Sequence, residues 1–191
     1  CEGLGITLSG ASPIAGGSAK LRRYAKSAGA RAVELVRENL TARQVITRES
    51  FINSIMVAVA VGGATSAVTF LEEVAADIGL DLNTRQEMEK CDGRIPMLLQ
   101  DIIPNGSLQI EEFEAAGGTL GVMKQLAERL DTDVQTVGGG KLREHLDAVH
   151  DKAHRKRLRE LRSELKEAIE TCNAIGDDAR FSTSSTCLPE Y

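Results

Sequence analysis

The spacing of apolar residues predicts a mostly α-helical chain, and three observations carry that prediction. Apolar residues recur every three or four positions over residues 18–39, which gathers them on one face of a helix. An uncharged run of 22 residues, 50–71, is interrupted by Gly62 and Gly63 and so reads as two apolar helices joined by a turn. Near the C-terminus, Leu158, Leu161, Leu165, Ala168, Cys172 and Ile175 follow strict 3-4-3-4-3 spacing. That is the seam of a heptad-patterned helix with charges on its other faces.

Residues 1–17, rich in Gly and Ser and containing Pro13, read as the end of an element followed by a loop. Leu21, Tyr24, Ala25, Ala28, Ala32, Leu35 and Val36 define an amphipathic helix ending near Asn39. Thr41 followed by Gln44 has the form of a capping box, and Thr47 ahead of Arg48 and Glu49 is a second N-cap. The uncharged run is long enough to raise a membrane span. Asn53, Ser54, Thr65, Ser66 and Thr69 are spread through it, however, and with the glycine pair they favour a buried helix-turn-helix core. Beyond Gly79, Asn83 or Thr84 caps a short helix through Glu89, and Pro96 and Pro104 bound residues 97–103. A helix over 108–116 ends at Gly117 and Gly118, and another over 119–130 presents Leu120, Val122, Met123, Leu126 and Leu130. Residues 134–137 are a candidate strand. Gly138, Gly139 and Gly140 then lead into a helix with Leu142, Leu146 and Val149. The chain divides into residues 1–149, a charged amphipathic helix over 150–176 and a polar, frayed tail over 177–191.

A chain of 191 residues, 42% hydrophobic and 27% charged, has the balance of a single globular domain. It is long enough to bury roughly 70% of its unfolded surface. The four cysteines, at 1, 91, 172 and 187, show neither metal-site nor disulfide-scaffold spacing and predict a reducing, cytoplasmic setting. Because its first residue is Cys1, the chain reads as trimmed or cut from something longer; a lipidated anchor or a self-processed nucleophile are the two other meanings of such a residue. The formal net charge of -5 argues against nucleic acid as a partner, since displacing counterions needs an excess of Lys and Arg. The acid excess lies in residues 1–150, with 15 basic and 20 acidic groups, whereas 151–191 carry 8 of each. Aromatic content of 3% with no Trp argues against base-stacking and carbohydrate platforms.

The most chemically suggestive local feature is Gly62-Gly63-Ala64-Thr65-Ser66. Two glycines allow close backbone approach, and the helix that follows offers N–H groups and two hydroxyls to a carboxylate or phosphate. Close helix packing is the plainer reading of the same pair. Gly117-Gly118-Thr119 repeats the device. Gly138-Gly139-Gly140-Lys141 is not a phosphate loop, because Leu142 stands where Ser or Thr is needed. His150 and His154 are spaced as a metal-binding pair, but Arg155, Lys156 and Arg157 beside them make a solvated basic face. Glu111, Glu112 and Glu114 point to different sides of a short helix and read as polar surface.

With Glu2-Gly3-Leu4-Gly5, Thr47-Arg48-Glu49, Gly62-Gly63-Ala64-Thr65-Ser66, Arg94-Ile95-Pro96 and Thr136-Val137-Gly138-Gly139 in that order along it, the chain resembles the dihydroxy-acid and 6-phosphogluconate dehydratase family over about residues 2–149. Its opening, Glu2-Gly3-Leu4-Gly5-Ile6-Thr7-Leu8-Ser9-Gly10-Ala11-Ser12, is similar to the family's Glu-Ala-Leu-Gly-Met-Ser-Leu-Pro-Gly-Ser. Thr47-Arg48-Glu49-Ser50-Phe51-Ile52-Asn53-Ser54-Ile55 and Gly62-Gly63-Ala64-Thr65-Ser66-Ala67-Val68 are similar to Thr-Arg-Glu-Ala-Phe-x-Asn-Ala-Ile and Gly-Gly-Ser-Thr-Asn-Ala-Val. Arg94-Ile95-Pro96, Pro104-Asn105-Gly106, residues 111–118 and Thr136-Val137-Gly138-Gly139 follow in the family's order. Ser66 stands where the family has Asn, and Glu114 where it has His or Tyr.

The resemblance implies an incomplete part of an α/β dehydratase N-terminal domain, mostly α in this chain, from a fragment or divergent member of a hydro-lyase family. Such enzymes eliminate water from a 2,3-dihydroxy acid to give a 2-keto acid. An iron-sulfur cluster acts on the departing hydroxyl, a base takes the C2 proton, and Mg2+ holds the substrate carboxylate. The resemblance places the ligands of both metals, and the base, upstream of or beyond the matched region, so Cys1 inherits no ligand role. No catalytic residue and no metal ligand is expected here, and the isolated chain is expected to be inactive. Gly62, Gly63, Thr65, Ser66 and Asn53 are the substrate-binding candidates. The implied partners are a small hydroxy acid and either a second copy or the remainder of the enzyme, with neither nucleic acid nor membrane. A helical interaction protein pairing through residues 158–175 is the alternative.

Overall fold

The computed structural model describes residues 1–63, 65–91, 95, 102, 103 and 106–149. Ala64, Pro96, Pro104 and residues 150–191, with the heptad seam, His150 and His154, lie outside the described residues. The described part is helical: α1 (Ala19–Glu38), α2 (Ala42–Val45), α3 (Arg48–Ala60), α4 (Thr65–Ile78), α5 (Thr84–Cys91), α6 (Ile110–Ala115), α7 (Gly118–Gln125) and α8 (Leu142–Asp147). The uncharged run does form two helices, and α4 extends beyond it to Ile78. Among the described residues no helix is long and apolar enough to cross a membrane.

Local chemistry sets most of the boundaries. Thr41 and Gln44 make the expected box, the Thr41 N–H donating to Gln44 Oε1 at 2.7 Å. The Thr47 hydroxyl accepts from the Ser50 N–H at 3.3 Å, and the Thr47 N–H donates back to Ser50 Oγ at 3.0 Å. Asn83 Oδ1 accepts from the Gln86 N–H at 3.0 Å ahead of α5. Three helices stop by one device, a left-handed residue flanked by two backbone bonds that satisfy the last carbonyls. After α3, Gly62 (φ 65) donates to Val59 O at 3.1 Å and Gly63 to Ala58 O at 2.7 Å. Asn39 and Leu40 do the same after α1, and Gly79 and Leu80 after α4.

Helix α3 is the centre of the fold. It packs on α5 and α7, while α7 also meets α6 and α8, and α4 meets α5. Phe51 and Ile55 on α3 are wholly buried with Leu4, Val45 and Met123, and burying each such side chain is worth about 1.5–3 kcal/mol. Leu126 and Leu130 stay in the core although α7 ends at Gln125 and the chain continues in turns.

The candidate strand over 134–137 is not one. Gln135 and Lys141 form an isolated bridge, and Val137 donates its N–H away from that pairing, to Gly5 O at 2.8 Å. Gly139 and Gly140, both at positive φ, turn the chain back before a ladder can extend. Helix α1 also departs from expectation: despite its apolar face, it buries none of its residues.

Candidate functional site

The turn between α3 and α4 is built by capping. Gly62 occupies a left-handed conformation that costs other residues about 1–2 kcal/mol, and a Cβ on Gly63 would lie 3.0 Å from Ala58 O. Both glycines are therefore required by the way α3 ends. Helix α4 then starts at Thr65 with no acidic residue in its first turn, whereas α3 has Glu49 there. In α3 that carboxyl is held below the usual range by backbone N–H donation at the helix start and by the Thr47 hydroxyl. The start of α4 thus keeps its partial positive charge without an internal anion. Ser66 in its first turn is exposed.

Asn53 is placed apart from this turn. It lies nine residues before Gly62, about 13 Å along a helix axis, and it is 1% exposed. Its Nδ2 donates to Asp131 O at 2.7 Å and its Oδ1 accepts from the Asp131 N–H at 2.9 Å. Both ends of the amide are thereby engaged with the backbone, clamping α3 to the segment after α7.

The N-terminal loop joins the two other glycine corners. A Cβ on Gly3 would stand 2.8 Å from Ser54 Cα, so the loop lies directly on α3. Further along, Pro13 packs on Gly118, whose missing Cβ would fall 2.5 Å from Pro13 Cγ. Within the loop the buried Glu2 carboxylate accepts from the Gly10 N–H and from the Ser12 hydroxyl. Ser12 Oγ also lies 2.8 Å from Thr119 Oγ1. The third corner is held by His145, whose Nε2 is 2.7 Å from Gly139 O and 2.9 Å from Thr136 Oγ1. Arg31 reaches it from α1, Nε donating to Val137 O at 2.6 Å. Arg31 is in turn paired with Glu38 and Glu34, which raises its pKa, and the same bond from Arg31 lowers that of Glu38. The motif positions of Glu2 and Ser12 were visible in the sequence; their convergence on Thr119 carried no local signal.

The acidic cluster on α6 is dispersed, as its spacing predicts. Glu112 turns back to accept from the Gln109 N–H at 2.8 Å, Glu114 pairs with Lys20, and Glu111 is exposed. Among the described residues no group of three or more His, Cys, Asp or Glu side chains could hold a metal ion.

A family model described as the dihydroxy-acid/6-phosphogluconate dehydratase N-terminal domain matches residues 1–145. The chain belongs to that dehydratase family. The dihydroxy-acid dehydratase of Methanococcoides burtonii is 37% identical over 146 residues, covering 76% of this chain and 26% of the relative. The dihydroxy-acid dehydratase of Methanosarcina barkeri is 38% identical with the same coverage. An L-arabinonate dehydratase of Rhizobium leguminosarum bv. trifolii is 34% identical over 140 residues, 72% of this chain and 24% of the relative. The chain therefore spans about a quarter of the length of the curated relatives it matches. The dehydratase match takes in all three glycine corners and stops within α8, in agreement with the span of 2–149 expected from the motifs.

Proposed function

We propose that this chain is the N-terminal, substrate-lining part of a hydro-lyase that removes water from a 2,3-dihydroxy acid to give a 2-keto acid, and that it does not carry out dehydration alone. The observation that carries this reading is the family match over residues 1–145 in a chain spanning about a quarter of its relatives' length. Within it, Gly62 and Gly63 shape the turn, and the N–H groups at the start of α4, with the Ser66 hydroxyl, receive the substrate carboxylate; Thr65 is a further candidate whose side chain lies outside the described residues. Asn53, the further candidate, acts as a positioning residue that fixes α3 through Asp131, at a distance from that turn. The relatives' names, dihydroxy-acid and L-arabinonate dehydratase, leave the acid open between branched-chain and sugar-acid types. The setting proposed is a reducing cytoplasm, with a second copy or the remainder of the enzyme as the protein partner.

The family implies an iron-sulfur cluster, which takes thiolate ligands, and Mg2+, which takes carboxylate and other oxygens. Among the described residues the donor set fits neither. The described cysteines are Cys1, at the exposed end of the loop, and Cys91, buried at the end of α5, and no cluster of metal-ligating side chains accompanies them. As the resemblance implies, and in line with the partial coverage of the relatives, we assign the groups that bind those metals to polypeptide that this chain does not span. The test is reconstitution of the 191-residue chain with iron, sulfide and Mg2+, followed by incubation with a 2,3-dihydroxy acid and hydrazone detection of 2-keto acid. No product and no stoichiometric cluster absorption are expected. Turnover by the chain alone, or one tightly held cluster per chain, would overturn the proposal.

A further inference from the structure

Helix α1 presents an unpartnered face. Its polar side is tethered by three contacts: Lys20 to Glu114, the Tyr24 hydroxyl donating to Ser9 O at 3.3 Å, and Arg31 to Val137 O. Beside those tethers Leu21, Ala25, Gly29, Ala32 and Val36 fall on one helical face, and all five are exposed, Val36 at 80%. A Cβ on Gly29 would meet nothing within 4 Å, and none of the main helix packings of the fold involves α1. An isolated helix is marginal in water unless its apolar face is packed.

We infer that this face is covered by residues 158–175 of the same chain, docked antiparallel to α1. Length favours that occupant: 18 residues as a helix span about 27 Å, and the stripe from Leu21 to Val36 about 23 Å. The stripe and the 3-4-3-4-3 seam both recur every three or four residues, which holds each on one side of its helix, as side-by-side helix packing needs. The point of departure fits as well. Val149 is held by Lys124, whose Nζ donates to its carbonyl at 2.9 Å. The loop before α8 is tied to Arg31 in the second half of α1, and residues 150–157 reach about 26 Å when extended.

Charge selects the orientation. The first half of α1 carries Lys20, Arg22, Arg23 and Lys26 with no acid, placed at the positive end of the helix dipole. Residues 163–178 contain five acids and one Lys, whereas 151–162 contain six Lys or Arg and two acids. Antiparallel docking lays the acidic half along the basic start of α1, while parallel docking would set base against base. The resulting register puts Cys172 opposite Leu21, Leu165 opposite Gly29 and Leu158 opposite Val36. This pairing does not depend on the dehydratase reading.

The test uses the full chain with Cys1→Ser and Cys187→Ser, leaving Cys172 as the reporter, and adds either Leu21→Cys or Val36→Cys. Both added sites are exposed, so folding is not at stake. Dilute protein is oxidised with copper phenanthroline and the disulfide is located by peptide mass. A disulfide needs Cα atoms about 4.4–6.8 Å apart, so Leu21→Cys is expected to link to Cys172 within one chain at least tenfold faster than Val36→Cys. Faster linkage from Val36→Cys, linkage between two chains, or none from either variant would overturn the inference. Adding Glu164→Lys, Glu167→Lys and Glu170→Lys is expected to slow the Leu21→Cys linkage several-fold at low salt, and an unchanged rate would overturn the charge-selected orientation.

Discussion

Removing the Asn53 amide is the sharpest test of how α3 is held. Asn53→Ala deletes two hydrogen bonds, at 2.7 and 2.9 Å, from a side chain that is 1% exposed. Each bond contributes a net ~1 kcal/mol, and a polar group left without a partner in a buried setting costs about 1–3 kcal/mol. Asp131 is itself exposed, so water can re-solvate part of its backbone, which places the loss at about 2–3 kcal/mol. That is a large fraction of the ~5–15 kcal/mol that stabilises a typical domain. The assay is urea unfolding followed by far-ultraviolet circular dichroism, the chain having no Trp. Asn53→Asp makes the chemistry explicit. Its carboxylate still accepts from the Asp131 N–H but faces the Asp131 carbonyl, so the folded state favours the protonated, donating form. The introduced carboxyl therefore has a raised folded pKa, and its penalty is absent below the ordinary carboxylate range and grows as pH rises through it. A loss under about 0.5 kcal/mol for Asn53→Ala, the scatter expected of a surface change, would refute the clamp.

Other positions give predictions of opposite sign. Gly118→Ala combines a φ of +58 with a Cβ 2.5 Å from Pro13 Cγ and is expected to lower stability by about 2–4 kcal/mol. Gly29→Ala, in open space on α1, is expected to raise it by about 0.5–1 kcal/mol; equal thermal shifts would contradict the packing described. Glu38 titrates below its ordinary 4.5 because of its bond to Arg31. Its contribution is therefore complete above that value and fades as pH falls through the lower folded pKa, which the resonances of the Arg31 Nη1–H and Nη2–H that bond Glu38 should follow; invariant resonances would exclude that coupling. In an enzyme assembled from this chain and the remainder of a relative, Thr65→Val should cut turnover at least tenfold, about 1.4 kcal/mol in the barrier, with little change in melting temperature. Equal losses of both would reduce Thr65 to a packing residue.

The sequence was most legible where structure depends on neighbours within a turn. The Thr41–Gln44 box, the Thr47 cap and the glycine stop after α3 are settled within a few residues, so their chemistry can be read along the chain. Residues 134–137 read as a strand because Val134, Thr136 and Val137 are β-branched, but β-propensity says nothing about whether a second strand is available. Here Gly5, more than a hundred residues away, takes the Val137 N–H instead. The candidate site divides along the same line. Gly62 was legible as a corner, whereas the work of Asn53 depended on Asp131, 78 residues distant, and that of Gly118 on Pro13. The ordered motifs nevertheless located the family, and the family match runs through all of them. Gly3, Asn53 and Gly118 each fall inside one of those motifs, and each makes a distant contact, to Ser54, Asp131 and Pro13, that the corresponding segment alone does not reveal. Several of the quoted motifs are thus joints of the fold, short segments whose ordered appearance along the chain reflects contacts between residues far apart in it.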